Sequence, residues 1–405
     1  MNKCCLWIIF ASLLMSSSHL RAQGYYLPSD AYFSDQWQLH NEGPFRNRDG
    51  KGAVKGSDHA HIAEAWQELM NLSGKRDLSE VGKSIRLAII DDGFDLEHED
   101  LKGKYIATKN FGSPVIPGNL FSQQPRNVHG TLVTGLAAAI GDNGVGIVGA
   151  CPGCRIIAAR MSEKAPPGMT QEDYLGQVFD WVISQKPDII NCSWGADGQS
   201  PRFWAQLMEK LSAGRDGKGI ILVAAAGNDG RSLESNGMAS HPYAITVGAS
   251  SSLAKRYSYS RYGAGIDVLA PSSKGSGGPS NYVDRIYTTD NYLEPDCLIP
   301  GRKANVSCSD RAGLTPHSPV AGGDGWEGRY SYRFSHTSAA APLVSGVAGL
   351  ILTANPELEA DEVQQIIQSS ADKIEPEVAK YDRDGWSVTH GYGRLNGVNA
   401  VRSAW

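Results

Sequence analysis

Three short motifs, far apart along 405 residues, carry the residue types that a hydroxyl nucleophile needs. Leu87-Ala88-Ile89-Ile90-Asp91-Asp92-Gly93 is an aliphatic run that delivers a carboxylate to its C-terminal end. Asn127-Val128-His129-Gly130-Thr131 sets a histidine at the head of an alanine-rich stretch. His336-Thr337-Ser338-Ala339-Ala340-Ala341-Pro342 begins a run of small residues with a serine. A helix starting there would place unpaired N–H groups beside the hydroxyl. Singly, each has an ordinary structural role: Asp91 closing a turn, His129 packing, Ser338 capping a helix. Together they supply a weak nucleophile, an imidazole to take its proton and a carboxylate to orient the imidazole and balance its charge. Gly227-Asn228-Asp229-Gly230 follows another apolar run, so Asn228 can donate its amide to a developing oxyanion. Losing such a donor costs about 2.7–4 kcal/mol of transition-state stabilisation. The order acid, histidine, serine is not that of α/β-hydrolase esterases, and their G-x-S-x-G motif is absent. No H-E-x-x-H occurs, which disfavours a zinc protease.

The elements that must position these residues follow from the hydrophobic pattern. Ile85–Ile90, Arg155–Arg160, Asp188–Ser193, Gly219–Ala226, Tyr243–Ala249 and Ile266–Ala270 are near-continuously apolar, as strands buried on both faces must be. Helical patterns occupy His129–Ile140, Gln171–Gln185, Arg202–Ala213, Ser338–Ala354 and Ala360–Ser369. The alternation predicts an α/β fold: one doubly wound, mostly parallel sheet with helices on both faces. Functional groups then belong at the carboxyl ends of the strands. Residues 23–80 read as an N-terminal arm and 81–405 as the main domain. A Gly/Ser/Pro/Asn-rich insert runs over 271–335.

Composition sets outer limits. The hydrophobic fraction is 41% and the charged fraction 20%, as in ordinary globular proteins, which excludes disordered or fibrous classes. A net charge of −5 gives nucleic-acid binding no electrostatic support. At about 150 residues per domain the length allows two to three domains, though single α/β domains run longer. Lys3 followed by apolar Cys4–Met15, with a cleavage site after Ala22, reads as a secretory leader over 1–22. An uncleaved anchor or buried helix is the alternative. The expected location is extracellular or periplasmic. No later segment approaches 18 consecutive apolar residues, so no membrane partner is expected. In an oxidising compartment Cys297 and Cys308 are the best candidate pair. Cys151-Pro152-Gly153-Cys154 reads as a small structural loop, with a redox or metal site left open. Cys192, in an apolar run, reads as a buried free thiol.

The chain resembles the subtilisin-like serine proteases over roughly Leu27 to Val401, in the blocks L-A-I-I-D-D-G-F-D-L-E-H-E-D-L, V-H-G-T, N-C-S-W-G, A-A-A-G-N-D-G and T-S-A-A-A-P. The segment Gly391-Tyr392-Gly393-Arg394-Leu395-Asn396 is similar to the one that closes this fold. The resemblance implies Asp91, His129 and Ser338 as a catalytic triad and Asn228 as oxyanion donor, hydrolysing peptide bonds through an acyl-enzyme. Finer marks resemble the kexin and furin branch: Asp91-Asp92, Ser193-Trp194-Gly195, Tyr287-Thr288-Thr289-Asp290 and Pro28–Trp37. In that branch the second carboxylate faces basic substrate residues, which implies substrate contacts at Asp92, Ser193, Trp194 and Gly195, with Asp197 as a further acidic wall. Relatives hold Ca²⁺ at positions similar to Asp30, Asp100 and Asn143 with the carbonyls of Ile140, Val145 and Ile147, an oxygen set that suits this ion.

Four departures accompany the resemblance. His336 stands where the family usually has glycine. Asn236-Gly237 lies where an arginine-selecting aspartate is expected, which weakens the expected basic preference. The mature-like sequence is expected to follow directly on the leader without the usual pro-segment, so that a separate folding chaperone or inhibitor, or an unusually fast intrinsic folding route, is expected. The β-rich domain that follows in kexins is not expected after Trp405. The expected function is a secreted, calcium-stabilised serine endopeptidase acting as a monomer on protein or peptide substrates. The alternative is an inactive subtilisin-like fold used as a binding module.

Overall fold

Near-continuous apolar runs can be satisfied only when both faces of a sheet are covered, and the chain does this with two helical layers. The computed structural model describes residues 26–41, 45–46, 53–54, 59–74, 76–112, 129–195, 198–233, 237–274, 286–289, 326–327 and 329–405. The expected leader, the Cys297–Cys308 pair, Asp197 and Asn236 lie outside the described residues. A short antiparallel pair, β1 (Phe45–Arg46) with β2 (Ala53–Val54), precedes helix α1 (Ile62–Ser73). Then come β3 (Arg86–Asp91), β4 (Tyr105–Asn110), α2 (His129–Ala138), β5 (Arg155–Arg160), α3 (Gln171–Ser184), β6 (Ile189–Cys192) and α4 (Pro201–Ser212). They are followed by β7 (Ile221–Ala225), β8 (Ala244–Ser250), β9 (Val268–Pro271), β10 (Ile286–Thr289), β11 (Trp326–Glu327) and β12 (Tyr330–Phe334). Helices α5 (Thr337–Ala354), α6 (Ala360–Ser369), α7 (Pro376–Ala379) and α8 (Gly397–Ser403) complete the described chain.

Seven strands form the central sheet in the order β4-β5-β3-β6-β7-β8-β9, every neighbouring pair parallel. Alternate residues of β3 serve opposite layers. Leu87 and Ile89 pack with the layer that contains Leu132, Val133 and Leu136 of α2 and most of α5. Ala88 and Ile90 pack with Tyr174, Val178 and Phe179 of α3 and Leu207 and Leu211 of α4. Helix α5 is long and apolar enough to cross a bilayer, with mean hydropathy 1.5, yet 94% of it is buried within the protein, as a core helix is.

The expected strands and helices are present with ends shifted by at most two residues. Of the elements that were not expected, two bear on the central sheet and its packing. Strand β4 lies at the sheet edge and is only half covered, so its pattern is mixed rather than apolar. Helix α1 sits within the expected arm and buries Ile62, Trp66 and Leu69, with Trp37 from the preceding segment in the same core. Cys151 and Cys154 form a disulfide, and Cys192 is a buried free thiol.

Candidate active site

Strands β3, β6 and β7 leave the sheet level with one another. Ile89 pairs with Asn191, and Asn191 with Val223, so Asp91, Ser193 and Ala225 stand side by side at the carboxyl edge. The buried Asp91 carboxylate lies 2.9 and 3.1 Å from His129 Nδ1 through its two oxygens. His129 opens α2. A Cβ on the next residue, Gly130, would lie 2.4 Å from the Gly93 carbonyl oxygen, so only glycine lets the helix start this close to the β3 turn. Asp92 Oδ1 accepts the Gly130 N–H (3.1 Å) and thereby caps α2.

The electrostatics follow from this crowding. Burial works against a charged His129 ring, but the Asp91 carboxylate overcomes it and holds the imidazole above its ordinary pKa. Burial, with the charge of Asp91 added, pushes the Asp92 carboxyl up to about 7. The His129 ring packs edge-on against Phe334, 5.3 Å between centroids, and Phe334 ends the strand that leads into α5.

Ser338 is the second residue of α5. Pro342, four residues on, has no N–H for the Ser338 carbonyl. Ser193 Oγ donates to that carbonyl instead (3.1 Å), while Ser338 Oγ donates to the Ser193 carbonyl (2.9 Å). Asn191 Nδ2 donates to Ser193 Oγ (3.0 Å), and Ser345 Oγ donates to Asn191 Oδ1 (2.8 Å). This buried chain of polar groups ties β6 to α5. It also holds the Ser338 hydroxyl on Ser193 rather than on His129.

Asn228 is oriented from behind. Its Oδ1 accepts both the N–H (2.9 Å) and the hydroxyl (2.7 Å) of Thr337, leaving Nδ2 as the group facing outward from an exposed residue. Gly227 before it has φ +108°, and a Cβ there would lie 2.7 Å from Arg261 Cδ. Arg261 in turn forks onto Asp229 with two 2.8 Å bonds, which hold the Asp229 carboxyl well below the usual range. Trp194 Nε1 donates to the Ile90 carbonyl (2.7 Å), bracing β6 against β3, and Gly195 beside it is exposed. His336 sits at φ 68°, ψ −173°, a region otherwise occupied almost only by glycine. Ser272 Oγ holds its carbonyl at 2.6 Å and Tyr259 flanks its ring at 4.7 Å.

The arrangement can move a proton from a hydroxyl to an imidazole whose cation is balanced by a buried carboxylate, beside an amide donor. The supports Asn191, Ser345, Thr337 and Phe334 were not expected. Asn191 alone carried a signal, as a polar residue inside an apolar run.

The expected cation loop is also assembled. Asp100 Oδ1 accepts from Asn143 Nδ2 (2.8 Å) and Oδ2 from the Ile147 N–H (2.9 Å). Asp30 Oδ2 accepts the Asp142 N–H (2.6 Å), while its Oδ1 is buried with no hydrogen-bond partner among the described residues. Burial pushes both carboxyls up to about 7. Among the described residues the carbonyls of Ile140, Val145 and Ile147 accept no hydrogen bond. Buried carboxylates, an orphaned oxygen and free carbonyls fit a hard divalent cation. Asn143 Oδ1 is engaged by the Val145 N–H (2.9 Å), so that residue closes the loop in this arrangement.

The model of the subtilase family matches residues 82–393. A "Calcium-dependent protease" of Nostoc sp. is 30% identical over 395 residues, covering 92% of this chain and 51% of the relative. A "Thermophilic serine proteinase" of Bacillus sp. is 29% identical, covering 87% of this chain and 67% of the relative. The chain thus spans about half the length of the first relative. Among solved structures, the Aeromonas sobria serine protease in complex with a chaperone superposes with a TM-score of 0.72 at 19% identity, covering 93% of this chain and 67% of that one.

Proposed function

The chain belongs to the subtilase family, and on the geometry of its cleft we propose that it is a secreted serine endopeptidase. In this reading Ser338 is the nucleophile, His129 the general base and Asp91 the group that orients and balances it. The observation that carries the reading is the 2.9 Å Asp91–His129 pair, seated on Phe334 just ahead of Ser338. The Ser338 hydroxyl turns from the Ser193 carbonyl to His129, gives up its proton and attacks the scissile carbonyl. Asn228 Nδ2 donates to the oxygen that becomes negative. His129 then returns the proton to the leaving amine, and water hydrolyses the acyl-enzyme by the same route.

Asp92, Ser193, Trp194, Gly195 and Asp197 form the substrate side of the proposal, with a moderate preference for basic residues. Asp92 supports that preference through its position beside the triad. Asp30, Asp100 and Asn143, with the carbonyls of Ile140, Val145 and Ile147, would hold Ca²⁺, which would neutralise the two buried carboxyls and fix the loop. The calcium-dependent relative supports this assignment. A folding partner in trans belongs to the same proposal, prompted by the Aeromonas sobria protease–chaperone complex. Activity recovered by refolding the chain alone, with and without a co-expressed helper, decides it. The strain at His336 and the Ser338–Ser193 contact favour the competing reading, an inactive fold that binds peptides.

Profiling a peptide library with the purified protein and with Ser338→Ala separates the two. Cleavage by the parent alone, enriched beside lysine or arginine, is the expected result. No cleavage by a folded parent supports the binding module, and equal cleavage by both proteins overturns the nucleophile.

A further inference from the structure

Away from the cleft, where the arm meets α1, three imidazoles crowd one carboxylate. His40 Nδ1 lies 3.0 Å from Glu64 Oε1, His59 Nε2 at 3.7 Å and His61 Nδ1 at 3.8 Å from the same oxygen. Only the first of these is a hydrogen bond; the other two are too long. Among the described residues, Glu64 Oε2 is buried without a hydrogen-bond partner. His40, His59 and Glu64 are all about nine-tenths buried, and their ligand atoms lie within 4.8 Å of one another.

From this we propose that His40, His59, His61 and Glu64 form a binding site for one zinc-class divalent cation. Ligands 2.0–2.1 Å from a tetrahedral zinc ion are separated by about 3.4 Å, and the three contacts to Glu64 Oε1 bracket that value. Imidazole nitrogen with one carboxylate oxygen is the donor set of a borderline metal, unlike the all-oxygen calcium loop.

Groups that would serve as outer partners stand nearby. A metal-bound imidazole characteristically gives its other ring nitrogen to a carbonyl or carboxylate. His59 Nδ1 accepts the His61 N–H at 3.2 Å and has the Leu39 carbonyl at 3.4 Å, to which it would donate instead once Nε2 binds metal, and His61 Nε2 stands 3.8 Å from Asp372 Oδ2, short of a hydrogen bond. His61 is the N-cap of α1, yet its side chain makes no capping bond and its backbone is left-handed, φ 52°, ψ 39°. Its ring stands 4.0 Å from that of His59, and about a quarter of its side chain is exposed, which leaves the cluster open on that side. Bound metal would join three distant segments: the arm at His40, the start of α1 and, through Asp372, the C-terminal region that also engages Arg394 and Asn396.

The test uses the full chain carrying Ser338→Ala to prevent self-digestion, with Ca²⁺ saturating so that the other loop is filled. Zn²⁺ is titrated against a chromophoric chelator, Co²⁺ is followed by visible absorption, and thermal unfolding is recorded with and without Zn²⁺. The proposal predicts one Zn²⁺ per chain, an intense tetrahedral Co²⁺ spectrum and an unfolding midpoint raised by at least about 2 °C at a hundredfold excess. Glu64→Gln and the partly exposed His61→Ala should each weaken binding about a hundredfold, and Asp372→Asn about tenfold. His61→Ala removes no capping bond, so it remains informative where Glu64→Gln fails to fold. Absence of saturable binding by the parent overturns the site, as does binding unchanged in His61→Ala.

Discussion

The cleft and the Asp100 loop solve opposite problems with the same chemistry. In the cleft the Asp91 carboxylate is matched by an imidazole, and the neighbouring polar groups are bonded in a chain from Ser345 to Ser338. In the loop two buried carboxyls face backbone N–H groups, and among the described residues Asp30 Oδ1 has no hydrogen-bond partner. The polar groups of the first region are matched by one another, with the Ser338 hydroxyl resting on the Ser193 carbonyl. The second, in the proposed reading, is completed by a cation. Changes in the cleft should therefore cost rate and spare stability, and changes in the loop should do the reverse.

The largest expected effect sharpens that contrast. Ser338→Ala should reduce peptide hydrolysis more than about a thousandfold, because nucleophile and base act as a unit. Its unfolding midpoint should stay near that of the parent; a large drop would blur the division. Next, a calcium chelator should lower stability by about 2.7 kcal/mol relative to a hundredfold excess of Ca²⁺ over its Kd. Asp100→Ala should reproduce the loss and abolish the response to chelator. Activity measured well below the midpoint should change little; a midpoint indifferent to chelator would break the comparison.

His336 holds a glycine-type backbone conformation two residues before Ser338. At an ordinary site alanine is more stable than glycine by about 0.5–1 kcal/mol. At position 336 the order should invert, with His336→Gly more stable than His336→Ala by about 1–3 kcal/mol, as read from denaturant unfolding. The usual order would mean that the backbone relaxes there.

The smallest effect belongs to Asp92, which caps α2 and stands beside the cleft. Its carboxyl is pushed up to about 7, so it is mostly neutral below that pH and mostly charged above it. Preference for a basic over a neutral substrate residue should therefore rise as pH increases through about 7. Asp92→Asn should remove that rise and about 1 kcal/mol of discrimination, roughly fivefold in relative kcat/KM. A preference independent of both pH and this substitution would place the basic contact elsewhere.

These regions also differed in how far they could be read in advance. Arg155–Arg160 and Ala360–Ser369 are legible to the residue, because apolar runs and helical periodicity are properties of the segment itself. The residues of the proposed triad are legible as candidates because each sits in its own short motif at a strand or helix end. Helix α1 is not, since its N-cap is a left-handed histidine without a capping bond rather than serine or aspartate. Strand β4 escapes because an edge strand is partly solvated and mixes threonine and lysine into its pattern. The exchange between Ser193 and Ser338 depends on a carbonyl freed by Pro342 meeting the end of a distant strand, and only the folded chain brings them together.

The central claim, that His129 and Asp91 activate Ser338, is tested most directly by a serine-reactive fluorophosphonate. The account predicts one adduct per folded chain, mapped by mass spectrometry to Ser338. The labelling rate should rise with pH along an acid limb whose midpoint lies above 6.5, the usual histidine value, because the raised His129 pKa must be passed before the ring can accept a proton. His129→Ala should abolish labelling. An adduct elsewhere, or Ser338 labelling that persists undiminished in His129→Ala, would contradict the account.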